Sequence, residues 1–169
     1  FNMILTSGSR TSLPHGDPAS HILQKGDFVM IDMGAAVGGY SADMTRTIAV
    51  GGVSDEQREA YQIVLCAQER ALAAIRPGIN CCCIDQIARD TIAASPYQKG
   101  TFGHGLGHSL GLEVHELPRF HPTCMTPLAA GMVMTVEPGI YLPGKFGIRI
   151  EDMVVVTEYG CENMTHSPK

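Results

Sequence analysis

No apolar run in this sequence approaches the ~20 residues that a helical membrane span requires. The opening residues Phe1-Asn2-Met3-Ile4 carry no basic region ahead of an apolar stretch, so no signal peptide is expected. Lys and Arg never form a run, and the net charge is −5, which argues against nucleic acid as a partner. There is no low-complexity linker and no short-period repeat. The six cysteines include no CxxC pair. Three of them are consecutive, Cys81-Cys82-Cys83, and neighbouring cysteines do not readily bridge. They read as reduced thiols of a cytoplasmic protein rather than a disulfide frame or a zinc knuckle. The remaining composition, 44% hydrophobic and 17% charged over 169 residues, suits one globular domain with a real core.

The densest chemistry lies at residues 104–116, His-Gly-Leu-Gly-His-Ser-Leu-Gly-Leu-Glu-Val-His-Glu, where three of the seven histidines fall close together. Imidazoles at this density suggest a metal ligand with acid/base neighbours. Gly105, Gly107 and Gly111 each cost a helix about 1 kcal/mol relative to Ala. The segment is therefore expected to be extended and tightly packed, aiming its rings at one place. Without carboxylates from elsewhere it would be only a His-rich loop.

The rest of the chain reads as an α+β plan, with helices packed on an antiparallel sheet. A strand over residues 1–9 runs into a turn. Residues 28–34 form an apolar strand holding Asp32; Gly38-Gly39 mark a hairpin turn, and residues 40–50 return with Asp43. Ser54 caps a helix and Gln57 completes a capping box. Tyr61, Val64, Leu65, Leu72 and Ile75 keep helical spacing until Pro77-Gly78 stop it. A second helix is predicted over residues 84–94, with the cysteine triplet at its opening. Residues 132–138 form a strand, and residues 147–157 read as the last clear one.

Acids on the strands supply what the histidines need. Taking the hairpin turn as centred between Val37 and Gly38, Asp32 and Asp43 face each other, with Cβ atoms roughly 5 Å apart. Such a pair repels itself unless a cation lies between, the plainer alternative being salt bridges to Arg46 or Lys25. Glu137 ends one apolar strand in Val136-Glu137-Pro138-Gly139, and Glu151 follows Gly147-Ile148-Arg149-Ile150. Four carboxylates and one imidazole make an oxygen-rich set suited to two divalent cations. Mn²⁺ is favoured, while Co²⁺, Fe²⁺ or Zn²⁺ also fit.

These motifs resemble the prolidase and aminopeptidase P branch of the pita-bread metallopeptidases. The resemblance runs through Leu13-Pro14-His15-Gly16, Ile31-Asp32-Met33-Gly34-Ala35, Ser41-Ala42-Asp43-Met44-Thr45-Arg46-Thr47, residues 104–116, Val136-Glu137-Pro138-Gly139 and Gly147-Ile148-Arg149-Ile150-Glu151-Asp152. It implies a pita-bread fold and a metal set of Asp32, Asp43, His108, Glu137 and Glu151, with Asp43 and Glu151 bridging two ions. It implies hydrolysis of the bond before proline in Xaa-Pro dipeptides or peptide N-termini, a metal-bridging hydroxide attacking the carbonyl. Glu137 would accept the proton. His115 would stabilise the developing oxyanion. His15 and His104 would surround the substrate, and Arg149 would brace the metal carboxylates. Arg119 matches a position that holds the C-terminal carboxylate of a dipeptide substrate.

Family members usually carry a helical stretch before the first strand and a separate N-terminal domain. The resemblance therefore makes residues 1–169 a catalytic domain without its first helices, with one sheet face left uncovered, in a protein that is a homodimer at full length. A methionine aminopeptidase shares the five ligands, but its ligand histidine comes seven residues after the first of the glycine-rich segment, not four as His108 follows His104. A non-catalytic pita-bread binding module typically loses ligands, whereas all five are present here.

Overall fold

The computed structural model describes residues 3–169. Its strands are β1 (Ile4–Ser7), β2 (Phe28–Val37), β3 (Tyr40–Ala49), β4 (Gly107–Ser109), β5 (Glu116–Phe120), β6 (Val133–Val136), β7 (Gly139–Leu142), β8 (Phe146–Arg149), β9 (Asp152–Val156) and β10 (Cys161–Asn163). Two helices, α1 (Asp55–Ala74) and α2 (Cys81–Ala93), separate β3 from β4. The strands form three sheets in the orders β1-β2-β3, β10-β9-β6-β4-β5 and β7-β8. Every named pairing is antiparallel, so the α+β expectation holds. Of the strand expected at the start, Phe1 and Asn2 lie outside the described residues. No helix among the described residues is long and apolar enough to cross a membrane.

Helix α1 begins where the capping box predicts. The Ser54 hydroxyl accepts the Gln57 N–H at 3.2 Å, and Gln57 Oε1 accepts the Ser54 N–H at 2.8 Å. Such a cap contributes about 0.5–2 kcal/mol. Gln57 also donates to the Gly26 carbonyl, which ties the helix start to the approach of β2. The buried stripe of α1 is mostly small, Ala60, Val64, Ala67 and Ala71, so the helix lies close against the sheet and α2. Helix α2 starts three residues earlier than predicted. The cysteine triplet forms its first turn, with Cys81 buried in the core. Around both helices pack Phe28, Met30, Phe102, Leu106, Met134, Ile148 and Ile150. Each fully buried side chain of this size stabilises the fold by about 1.5–3 kcal/mol.

Two sequence expectations are corrected. The β2–β3 hairpin turns on Gly38-Gly39, both at positive φ (60° and 88°), and pairs Val37 with Tyr40. Left-handed backbone at both central residues is what a two-residue hairpin turn of matching twist requires. The turn centre thus sits one residue later than assumed. Asp32 faces Thr45 and Asp43 faces Gly34. The acids are diagonal neighbours rather than directly opposed, but because the slip is an even number they stay on one face.

The strand expected over residues 147–157 is in fact β8 and β9, in different sheets. One register runs through both: Val136 is opposite Asp152 and Gly139 is opposite Arg149. The ladder breaks between them because Pro138 has no N–H to give. There the amide of Glu137 donates to Leu106 O at 2.8 Å and that of Glu151 to Thr45 O at 3.1 Å. The same register sets Glu137 opposite Glu151, at the break where neighbouring segments bond to both strands.

Candidate active site and metal centre

The cavity of about 420 Å³ above this break is lined by all ten residues singled out in the sequence: His15, Asp32, Asp43, His104, His108, His115, Arg119, Glu137, Arg149 and Glu151. They come from six places in the chain. β2 and β3 bring Asp32 and Asp43, the interrupted hairpin brings Glu137, Arg149 and Glu151, and β4 brings His108. His15 comes from the loop after β1, and His104, His115 and Arg119 flank β4 and lie on β5.

The glycines of the 104–116 segment act as expected. A Cβ on Gly107 would overlap the Thr135 carbonyl, and one on Gly105 would come within 2.7 Å of the Phe120 carbonyl oxygen. Only glycine lets the backbone lie this close to β6 and β5. His108 then points inward. Its N–H donates to Thr135 Oγ1 at 3.0 Å, and its Nδ1 donates to the Ser109 carbonyl at 3.1 Å. That bond leaves the Nε2 lone pair facing the acids, 3.5 Å from Glu137 Oε1 and 3.7 Å from Asp43 Oδ2. Burial above all, with His115 and Arg119 nearby, lowers the His108 pKa to about 4, so the ring is neutral and able to ligate.

Ligand atoms of Asp43, His108 and Glu151 all lie within 4.8 Å of one another, and all three residues are buried. The acids around them are in mutual conflict. Burial first, then Asp32, raises Asp43 to about 7. Burial, against the pull of Arg149, and with Asp43 and Asp32 adding to it, raises Glu137 to about 8. Burial together with Glu137, Asp43 and Asp32 lifts Glu151 well above the usual carboxylate range. Buried oxygens Asp32 Oδ1 and Asp43 Oδ1 have no hydrogen-bond partner. Carboxylates crowded this way, with open oxygens and a neutral imidazole among them, fit divalent cations: the cations supply the missing countercharge and the missing partners.

The residues around the acids fix their orientation. Thr45 donates its hydroxyl to Glu151 Oε2 at 2.7 Å, and Thr135 donates to Glu137 Oε1 at 3.2 Å. Arg149, almost fully buried, donates to Asp32 Oδ2 at 2.5 Å, to Thr45 Oγ1 at 3.1 Å, and to the Pro14 carbonyl and Tyr141 hydroxyl at 3.0 Å each. The alternative salt bridges for the acids are not formed. Arg46 points to the other face and pairs with Asp152 at 2.8 Å. His104 has both ring nitrogens engaged, Nδ1 with Gly105 O at 2.7 Å and Nε2 with Tyr141 Oη at 3.0 Å, so it offers the cavity its ring rather than a free nitrogen. Its pKa falls to about 4, chiefly through burial. His115 lies beside His108, ring centroids 4.4 Å apart.

Several supporting residues escaped the sequence reading. Tyr141 links Arg149 to His104. Asp85 and Arg89 on α2 pair at 2.6 Å, and Arg89 donates to the carbonyls of Phe102 and His104 while Asp85 accepts the Leu106 N–H. Gln68 on α1 reaches the carbonyls of Val136 and Ile150, the residues just before Glu137 and Glu151. A buried polar residue on an apolar helix stripe is the one hint the sequence held for Gln68 and Asp85.

Comparison with known proteins agrees with this geometry. The profile of metallopeptidase family M24 matches residues 1–158. The Xaa-Pro dipeptidase of Pyrococcus furiosus is 46% identical over the whole chain, which covers 48% of that protein. The solved prolidase from Pyrococcus furiosus superposes with a TM-score of 0.96 at 46% identity, over 100% of this chain and 50% of that one. An X-Pro aminopeptidase from Thermotoga maritima superposes equally well, TM-score 0.96 at 47% identity, covering 99% of this chain and 47% of that one. The chain thus spans about half the length of the curated relatives it matches, and its fold is their pita-bread fold. With the profile match and the superposition joined to the clustered acids and histidine, the chain belongs to metallopeptidase family M24.

Proposed function

We propose that the protein carrying this chain hydrolyses the peptide bond before proline in Xaa-Pro substrates, with residues 1–169 as its catalytic domain. The observation that carries this reading is the convergence of Asp32, Asp43, His108, Glu137 and Glu151 on one cavity, beside three histidines and an arginine. Those five residues would hold two divalent cations, Mn²⁺ suiting the oxygen-rich set best. When bound, such ions lower the pKa of water and polarise a carbonyl.

The chain's own residues would do the rest. Glu137 would take the proton of the attacking water, its carboxylate being oriented by Thr135. His115, open to the cavity beside His108, would donate to the carbonyl oxygen as charge develops there. His15 and His104 would flank the proline side, with Tyr141 holding the His104 ring. Arg149 would hold Asp32 aimed through their hydrogen bond. Arg119, exposed at the mouth, would bind the free carboxylate of a dipeptide in a bidentate fork, which favours a dipeptidase over an aminopeptidase. The four-residue step from His104 to His108 argues against a methionine aminopeptidase. Six free thiols suit a protein of the reducing cytoplasm, and a homodimer is the expected full-length assembly.

The test is metal content together with cleavage. The full-length protein should take up about two equivalents of Mn²⁺ per chain, as a two-metal site demands, and should cut Ala-Pro. No bound metal after loading would sink the reading. Equal cleavage of Ala-Pro and Ala-Pro-Ala would remove the role given to Arg119 and leave an aminopeptidase.

A further inference from the structure

The cysteine triplet has no part in the cavity, yet the structure sets one of its members against a distant thiol. Residues 124–127 lie as a strap across the first turn of α2. The Cys81 N–H donates to Thr126 O at 3.0 Å, the Cys82 N–H donates to Cys124 O at 2.9 Å, and Asn80 bridges Pro127. Under the strap, these backbone bonds make neighbours of the buried Cys81 thiol and the half-buried Cys124 thiol, close enough for each to shift the other's ionisation. The other cysteines are turned elsewhere. Cys82 Sγ lies 3.5 Å from Met125 Sδ, Cys161 Sγ donates to Leu72 O, and Cys66 and Cys83 face solvent.

The two thiols are unlike in reactivity. Partial burial works against ionisation of Cys124. The N–H and hydroxyl of Thr126, the backbone of Arg119 and the Cys81 thiol outweigh it and hold its pKa below the ordinary thiol value. Cys81 is pushed up to about 12, by burial first and then by Cys124 and Cys82. The more ionised thiol is also the more accessible one, which is the arrangement of a thiol that attacks and a thiol that resolves.

We propose that Cys124 and Cys81 form a peroxide-responsive pair whose disulfide fastens the 124–127 strap to the first turn of α2, directly behind Arg119. The Cys124 thiolate attacks a peroxide oxygen and the O–O bond breaks. The released hydroxide takes a proton and leaves as water, and Cys124 becomes a sulfenic acid. The Cys81 sulfur then attacks Cys124 sulfur, the S–O bond breaks, and the hydroxyl leaves with the Cys81 proton as a second water. Two thiols are oxidised and one hydrogen peroxide is reduced to two waters. The Cys124 sulfur contacts the Arg119 backbone, so the new bond draws that contact toward α2. Any effect on substrate rests on the role proposed for Arg119. The thiol chemistry does not, and it is read without turnover.

The experiment is graded hydrogen peroxide on the reduced full-length protein, followed by intact mass and tandem mass mapping. Expected is the loss of two hydrogens, one cross-link between Cys81 and Cys124, and full reversal by dithiothreitol. In Cys81→Ser, Cys124 should stop as a sulfenic acid that dimedone captures. The double variant Cys82→Ser, Cys83→Ser should cross-link as the native protein does. A bridge at Cys82 or Cys83, dimedone spread over all cysteines, or no oxidation of Cys124 would each overturn the proposal. The native protein's map decides this even if the Cys81 variant does not fold.

Discussion

Thr45 and Glu151, 106 positions apart, are joined by a 2.7 Å hydrogen bond from the threonine hydroxyl to Oε2. It ties the hairpin of Asp32 and Asp43 to the hairpin of Glu137 and Glu151. The same hydroxyl accepts from Arg149 Nε, so one oxygen serves a carboxylate and the guanidinium that holds Asp32.

Thr45→Val keeps the shape and removes both bonds. Leaving the buried Glu151 and Arg149 groups short of a partner should cost about 1–3 kcal/mol in urea unfolding. Metal affinity should fall about 10–100-fold, as for lost partners of ligating groups elsewhere. Thr45→Ser should restore the affinity. Titration calorimetry with Mn²⁺ reads the difference, and unchanged affinity in the valine variant would count against the bridge.

Metal-free protein should lose stability as pH rises. Asp43 and Glu137 stand at about 7 and about 8 in the folded chain, above the ordinary carboxylate values of 3.8 and 4.5. A carboxyl raised on folding contributes stability that is complete below its unfolded pKa and is lost as pH rises through its folded one. With chelator present, the melting temperature should therefore fall between pH 4 and pH 8. Saturating metal should flatten or reverse that slope, since it binds the ionised carboxylates. Asp43→Asn removes one of the crowded charges. It should raise the metal-free melting temperature at pH 8 and abolish two-metal binding. A metal-free protein equally stable at both pH values would contradict the crowding.

Gln68 should matter to the site without touching it. Its amide spans the carbonyls of Val136 and Ile150 at 3.1 and 3.3 Å, where the strands separate ahead of the two glutamates. Gln68→Met fills the volume and takes the amide donor away from both carbonyls in the core, at a cost of about 1–3 kcal/mol. Hydrogen exchange should rise at the amides of Glu137 and Glu151 more than in β10. Uniform exchange across the sheet would assign Gln68 to general packing instead.

Two glycines four positions apart, Gly103 ahead of β4 and Gly107 at its start, should respond in opposite ways. A Cβ at Gly107 would overlap the Thr135 carbonyl, whereas one at Gly103 meets nothing within 4 Å. Gly107→Ala should destabilise by about 1–3 kcal/mol or prevent folding, as overpacking does. Gly103→Ala should stay within about 0.5 kcal/mol, like other open surface changes. Thermal melts of the pair are sufficient, and equal stability would mean that β4 and β6 are further apart than described.

Much of the site was readable from residue type alone. Buried acids on strands need countercharge, and histidines spaced by glycines need something to ligate, so the four acids and the 104–116 histidines stood out from residue type; His15, Arg119 and Arg149 entered only through the family resemblance. The geometry was less legible. Placing the hairpin turn one residue early moved Asp43 from a diagonal to a facing position, and only the even period of a strand kept it on the correct side. The break between β8 and β9 was invisible because Ile148, Ile150 and Met153 read as one alternating run into the apolar Val154-Val155-Val156. Its cause, the missing N–H of Pro138, acts on the partner strand. Thr45, Tyr141 and Gln68 were passed over because an isolated polar residue declares nothing until the fold brings its partner within reach.

The face of β1–β3 turned away from the cavity shows Leu5, Met33 and Ile48 to solvent, with Ile22 and Leu23 exposed in the loop that leads into β2. A greasy plane of this kind sets how these 169 residues behave in a test tube: handled by themselves they should bind hydrophobic dyes and self-associate as concentration rises. Solubility, before catalysis, would then be the first property to change when further chain is supplied to that side.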